Sequence, residues 1–196
     1  MTISISPSHG QTVPSTIATL DRTILPGERL GPVTRTTTRA DLATLFGEAV
    51  LEDDVMMVGE GEAELGTTID LGVDASFTII WENPERSQIA SIMDIGRDWG
   101  TVEGIRVGTT LAELKTILGE FEFYGFDWDY GGYVMLDGTK LAAHAGKLIL
   151  QLSPSEASRS RSPKAIDALS GDSLFKSNNS YVAQLEIAVD GVTVIL

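Results

Sequence analysis

A chain of 196 residues, 42% of them hydrophobic, is long enough to bury its own core without a metal or disulfide staple. It has no cysteine, which excludes thiolate-ligated zinc, iron–sulfur centres, thiol nucleophiles and disulfides. The 28 acidic residues against 14 basic ones leave a formal charge of −14, a surface that repels phosphate backbones, so no nucleic-acid partner is expected.

The amino-terminal stretch is rich in Ser, Thr and Pro and carries His9 but neither Lys nor Arg through Thr19. It lacks the basic and apolar regions of a signal peptide, and residues 1–26 read as a loosely ordered arm. The compartment expected is periplasmic or exported if an export signal precedes this chain, and cytoplasmic otherwise. No run approaches 18 consecutive apolar residues, so no transmembrane segment is expected.

A first helix is predicted from Thr38 to Gly47. Thr38 and Asp41 form a capping pair, Leu42, Leu45 and Phe46 make one apolar face, and Gly47 closes the helix. Strands are predicted at Val55–Val58, Thr67–Leu71 and Phe77–Trp81, with turns at Gly59, Gly61 and Gly72. Seven acids and no base lie between Glu48 and Glu64, which reads as a strand with acidic edges. A polar link, Pro84–Ser91, then leads to a short strand at Ile92–Ile95.

The second helix repeats the first at an offset of 72 residues, pairing Thr38 with Thr110, Asp41 with Glu113, Leu42 with Leu114, Leu45 with Ile117 and Gly47 with Gly119. Matched chemistry at matched positions points to duplication. Strands follow at Glu122–Tyr124, Tyr133–Leu136 and Lys147–Leu152, with Asp137-Gly138 predicting a hairpin turn. Ser153–Pro163 reads as an exposed loop, Lys164–Leu169 as a helical turn closed by Gly171, and Tyr181–Val189 with Val192–Leu196 as a final hairpin about Asp190-Gly191. The fold class expected is therefore α+β, in tandem duplicated units that each pack a short helical element on a small antiparallel sheet. The sheets are read as antiparallel because the chain supplies no long helical crossovers for a parallel one, and the units, 27–100 and 101–196, are expected to share one compact domain.

Catalytic constellations are scarce. His144 has no second histidine or cysteine nearby, neither it nor His9 has a recognisable nucleophile setting, there is no Gly-x-Ser-x-Gly elbow, and acids follow the glycines of Gly59-Glu60-Gly61. No catalytic residue, metal or cofactor is assigned. Asp127, Asp129 and Gly132 match the first, third and sixth positions of a calcium loop, but Gly138 stands where its bidentate glutamate belongs. The segment Phe121–Tyr133 holds seven of the thirteen aromatic residues, with Asp127 and Asp129 flanking Trp128. If extended, it would place Phe126, Trp128 and Tyr130 on one face and the two aspartates on the other. Phe123, Phe126 and Trp128 would then close the core against the second helix; alternatively, Phe126, Asp127, Trp128, Asp129, Tyr130 and Tyr133 form a ligand- or partner-binding groove.

Two motifs carry a resemblance. Gly104-x-x-x-Gly108-Thr109-Thr110-x-x-Glu113-Leu114-x-x-x-Leu118-Gly119 and Gly125-Phe-Asp-Trp-Asp-Tyr-Gly-Gly132 resemble a family of uncharacterised bacterial proteins, exported or lipoprotein-like. The first motif is also similar to the helix start of the beta-lactamase-inhibitor-like fold of outer-membrane assembly lipoproteins. That similarity implies helices on a small antiparallel sheet, with tandem copies able to form a concave binding face. This chain lacks both the lipid-anchor cysteine and the inhibitor-type disulfides, and no inhibitory residue carries over. The function expected is a non-enzymatic accessory or binding protein, of the cell envelope if the chain is exported, with a protein, peptide or glycan partner. The alternative is a carboxylate-dependent carbohydrate-active enzyme using Asp127 and Asp129.

Overall fold

Both main helices are set by their ends. In the computed structural model, which describes residues 20–58 and 62–196, α1 (Arg39–Phe46) and α2 (Leu111–Leu118) each start in a capping box. Thr38 and Thr110 accept from the N3 backbone amide, while Asp41 and Glu113 reach back to the cap amide, satisfying donors a helix start leaves open. Gly47 and Gly119 end them at φ of 95° and 86°. The match extends outward from the helices. Thr37 and Thr109, both buried, accept on Oγ1 from the amides of Thr34 and Arg106, at 2.9 and 3.0 Å. Val33 and Ile105, which the same offset pairs, are both fully buried.

The strands are β1 (Thr23–Leu25), β2 (Arg29–Leu30), β3 (Val33–Thr34), β4 (Leu51–Val58), β5 (Glu62–Ile69), β6 (Phe77–Trp81), β7 (Ile89–Met93), β8 (Gly100–Thr101), β9 (Glu122–Tyr124), β10 (Val134–Met135), β11 (Leu148–Pro154), β12 (Leu174–Lys176) and β13 (Ile187–Ile195). They build an α+β protein with mostly antiparallel sheets and few helices. The largest sheet has the order β11-β13-β7-β6-β5-β4, so strands from both halves of the chain share it. A four-stranded sheet, β3-β2-β1-β8, contains the one parallel strand pair among the described residues, β1 with β8. A three-stranded sheet has the order β10-β9-β12, and an antiparallel bridge from Tyr133 to Gln151 links its β10 end to β11.

The core lies where the helices meet the large sheet. β6 is buried along its whole length, and Leu42, Leu114 and Leu118 are buried on their helices. Phe46 packs edge-on against Phe77, and Phe77 against Trp99, with ring centroids 5.9 and 5.2 Å apart. Leu45 departs from the expected apolar face, being 44% exposed. The eight-residue α1 meets the sheet through Leu42 and Phe46, one turn apart, and Leu45 falls at the margin of that narrow stripe. Two acids of the run are tied down in ion pairs among the described residues, the first being Glu48, which pairs with Arg39. Asp53 accepts from Thr67 and pairs with Arg39 and Arg86, while Thr67 itself accepts from the buried indole of Trp81.

Several expectations are corrected. The arm predicted for residues 1–26 falls partly outside the described residues, as does His9; within 20–26, Thr23–Leu25 form β1, with Ile24 fully buried. Asp190-Gly191 is not a hairpin turn. β13 runs straight through it, Asp190 being the extra residue of a bulge where Gln151 opposes Gly191 and Leu152 opposes Val189. Pairing with β11 along this strand outweighs the local turn preference. Asp137-Gly138 starts a longer connection that docks on α2, where the Lys140 amide donates to the Leu118 carbonyl and its ammonium to the Thr116 carbonyl, both at 3.1 Å. These bonds satisfy carbonyls that the helix end leaves open. Ser153–Pro163 is not a loop. β11 continues to Pro154, Ser155 caps α3 (Glu156–Arg161), and Pro163 opens α4 (Pro163–Ala168) at the position where a missing amide costs nothing.

Candidate functional site

β9 ends at Tyr124, and from Gly125 the chain enters a loop pinned by its backbone on two sides. The Phe126 amide donates to the Leu169 carbonyl at 2.8 Å, and the Gly171 amide returns to the Phe126 carbonyl at 3.0 Å. On the other side the Leu152 amide donates to Gly132, and the Gln151 side chain donates to the Gly131 carbonyl at 3.0 Å. Gly132 lies so close to the Leu152 backbone, with φ of 79°, that no side chain would fit there. Between these anchors the chain is turned, not extended, which overturns the alternating-face arrangement.

The pinning decides which aromatics go inside. Phe126 is buried and stacks on Phe123 with centroids 5.5 Å apart, so it supports the loop and offers no surface to a partner. Trp128 does not close the core: it is 42% exposed, and Tyr130 is 46% exposed. With the half-buried Tyr124 and Tyr133 they form a continuous aromatic surface centred on Tyr130, whose ring lies 6.3, 6.4 and 5.8 Å from those of Tyr124, Trp128 and Tyr133. Tyr133 also lines an adjoining cleft of about 390 Å³ with Asp94, Ile149, Gln151, Asp190 and Thr193.

The two aspartates have different surroundings. Asp127 takes a left-handed backbone, φ 64°, and its carboxylate accepts from Arg159 at 2.8 Å and from the Ser170 hydroxyl at 3.2 Å. Asp129 is exposed and makes no side-chain hydrogen bond or ion pair among the described residues. His144 sits in a 3-10 turn, Ala142–His144, away from both aspartates in sequence. Among the described residues no group of three or more His, Asp or Glu gathers in a way that could hold a metal ion. Gln151, Arg159 and Ser170 escaped the sequence reading, because they reach the loop from β11, α3 and the turn after α4, all distant in sequence. The acidic–aromatic composition marks one side of such a contact and is silent on the other.

No family model matches the chain, and no curated protein matches it in sequence. Among solved structures it is similar to the uncharacterized protein yfeY from Escherichia coli, at 13% identity and a TM-score of 0.50, over 86% of this chain and 97% of that one. At this identity the likeness speaks for the fold alone, an α+β arrangement spanning most of both chains.

Proposed function

We propose that this protein is a non-enzymatic accessory or binding protein, of the cell envelope, and that a peptide or glycan docks on the surface formed by Tyr124, Trp128, Tyr130 and Tyr133, with Asp129 at its rim. The observation that carries this reading is the exposure of Trp128 and Tyr130 on a loop whose backbone is held on both sides. Rigid aromatic rings supply a large contact area at low entropic cost, the feature that concentrates binding energy at interfaces. The envelope placement rests on the resemblance of Gly104–Gly119 and Gly125–Gly132 to exported bacterial proteins.

Carboxylate chemistry on Asp127 and Asp129 is the less favoured reading. Asp127 is held by Arg159 and the Ser170 hydroxyl, so it is not a free partner for Asp129 in a carboxylate pair.

Tryptophan fluorescence tests the binding reading directly, because Trp81 and Trp99 are buried and Trp128 is the accessible indole. A ligand found in panels of oligosaccharides and extended peptides should shield Trp128 from acrylamide quenching. Trp128→Ala with Tyr130→Ala should abolish that binding and leave the melting temperature unchanged. If no ligand shields Trp128, or if the double variant binds as before, the aromatic surface is scaffold.

The tandem duplication is part of the same proposal. Beyond the shared caps and buried threonines, the order of strands supports it. β4-β5-β6-β7 runs inward to the centre of the large sheet from one side. From the other side β9, β10, β11 and β13 follow in the same sense, joined by the β9–β10 ladder, the Tyr133–Gln151 bridge and the β11–β13 ladder. β7 and β13 then meet antiparallel, as a twofold relation between units requires. An experimental structure in which no single rotation brings α1 onto α2 and β6 onto β11 together would remove this part of the proposal.

A further inference from the structure

β4 is the outermost strand of the large sheet, and among the described residues no strand pairs with its outer edge. β4 pairs with β5 in an unbroken register from Leu51↔Ile69 to Val58↔Glu62, whereas β6 pairs with β5 only from Gly66 to Ile69. The outer half of the β4–β5 pair therefore stands clear of the sheet as a two-stranded arm. Its faces differ because side chains alternate along a strand. Val55 and Met57, 55% and 69% exposed, share one face with Leu65. Glu52 and Asp54 share the other with Glu64. None of these three carboxylates takes part in an ion pair among the described residues, unlike Asp53, which Arg39 and Arg86 hold.

The backbone of that edge is open in a defined pattern. The Asp70 amide donates to the Val50 carbonyl at 2.8 Å, making Val50 and Asp70 a hydrogen-bonded pair. By the alternation of an antiparallel ladder, Glu52, Asp54 and Met56 then bond to β5, and Asp53, Val55 and Met57 turn their amides and carbonyls outward. The Val55 amide accordingly donates 2.7 Å to the carboxylate of Asp54, its own neighbour. Free edges are normally blunted by charged side chains, proline or a bulge. This one has neither proline nor bulge along its ladder with β5 and carries only acids, Glu52, Asp53 and Asp54, which repel an acidic strand and attract a basic one.

We propose that the β4 edge is a docking strand for an extended segment of another protein in which apolar and basic residues alternate. The apolar positions would cover Val55 and Met57 and the basic ones would meet Glu52 and Asp54. An incoming carbonyl would take over the Val55 amide, releasing the Asp54 carboxylate to a cation. A second copy of this chain is the wrong occupant electrostatically, since each copy carries a formal charge of −14 and the segment from Glu48 to Glu64 has no base.

The test uses three synthetic heptapeptides with amide shifts and calorimetry as readouts: alternating Lys/Val, the same residues in two blocks, and alternating Glu/Val. The alternating Lys/Val peptide should bind at least roughly tenfold tighter than the others, shift amides of β4 first, and weaken as salt rises. Val55→Pro removes one outward amide and should weaken binding by about tenfold. Glu52→Lys with Asp54→Lys leaves the ladder intact and should switch the preference to Glu/Val, which keeps the proposal falsifiable if the proline variant misfolds. Equal binding of blocked and alternating peptides, or an unchanged preference after charge reversal, would overturn it. A concentration-dependent dimer that Val55→Pro abolishes would also overturn it, assigning the edge to a second copy.

Discussion

Arg159 grips Asp127 at 2.8 Å across 32 residues of chain, and the backbone it grips is left-handed, with φ of 64°. Asp tolerates this conformation better than most residues because its short polar side chain can bond locally. Replacing both loop aspartates together therefore confuses two roles. Asp129→Asn should leave the melting temperature where it is. Asp127→Ala loses a partly exposed ion pair and the short polar side chain that eases the left-handed backbone, for a cost of about 1 kcal/mol. Denaturant unfolding of the two single variants separates them, and equal stabilities would show that Arg159 contributes nothing to holding the loop.

Helix caps and helix faces make a matched set of stability predictions. Thr38→Ala and Thr110→Ala should each cost about 1 kcal/mol, since each removes an acceptor for an otherwise open amide. Leu42→Ala and Leu114→Ala, both fully buried, should cost about 2–5 kcal/mol each. Leu45→Ala should fall within about 0.5 kcal/mol of the parent protein, because the leucine is already exposed. Urea midpoints for the five variants would expose any error in the packing of α1.

Two glycines with positive φ should respond unequally to alanine. Gly47 has φ of 95° with ψ of 141° and nothing near its missing β-carbon, so Gly47→Ala should cost only the backbone strain, about 1–3 kcal/mol. Gly132 has the Leu152 carbonyl against it, and Gly132→Ala must move backbone in β11 or in the loop. A loss above about 3 kcal/mol is expected, with Trp128 becoming more quenchable as the loop shifts. Equal losses at the two glycines would show that the loop is not pinned against β11.

Acid should destabilise the protein in a defined window. Hydrogen bonds from Thr23, and then from the Arg29 guanidinium, lower Asp21 from 3.8 to about 2. Burial pushes Asp53 up, but hydrogen bonds from Thr67 and Arg39 outweigh it and leave it lowered. The Thr110 hydroxyl and amide lower Glu113. A carboxylate lowered on folding contributes its stability in full above its ordinary value and loses it as pH falls through the lowered one. Unfolding free energy should therefore hold steady from neutrality down to the ordinary carboxylate range and fall below it. Asp21→Asn should flatten the part of that fall between 3.8 and about 2. Urea titrations at stepped pH measure this, and a profile that Asp21→Asn leaves unchanged would show that Asp21 is as free in the native state as in the unfolded one.

The two main helices were readable without a structure because a cap is decided by residues three or four positions apart. Thr110, Glu113 and Gly119 lie within one short segment, and so do Thr38, Asp41 and Gly47. The inverse holds for Asp190-Gly191, where a real local preference for a turn is outweighed by the ladder between β11 and β13. Asp137-Gly138 does turn, the Thr139 amide donating to the Leu136 carbonyl at 3.1 Å, but the chain beyond it docks on the end of α2 and forms no hairpin. Ser155 is the intermediate case, a helix cap hidden in a stretch whose composition suggests a loop.

Sequence alone determined the acidic charge, the absence of thiol chemistry, the capped helices, the α+β class and the concentration of aromatics before Tyr133, because each is a property of composition or of near neighbours. Tertiary structure alone decided that Phe126 turns inward while Trp128 and Tyr130 turn outward, and that, among the described residues, Asp127 is held while Asp129 has no side-chain partner and β4 is left on an open edge. Those outcomes depend on Leu152, Arg159, Leu169 and the order of strands in the sheet. All of them come from distant parts of the chain, and periodicity within a segment carries no record of which distant backbone will lie against it.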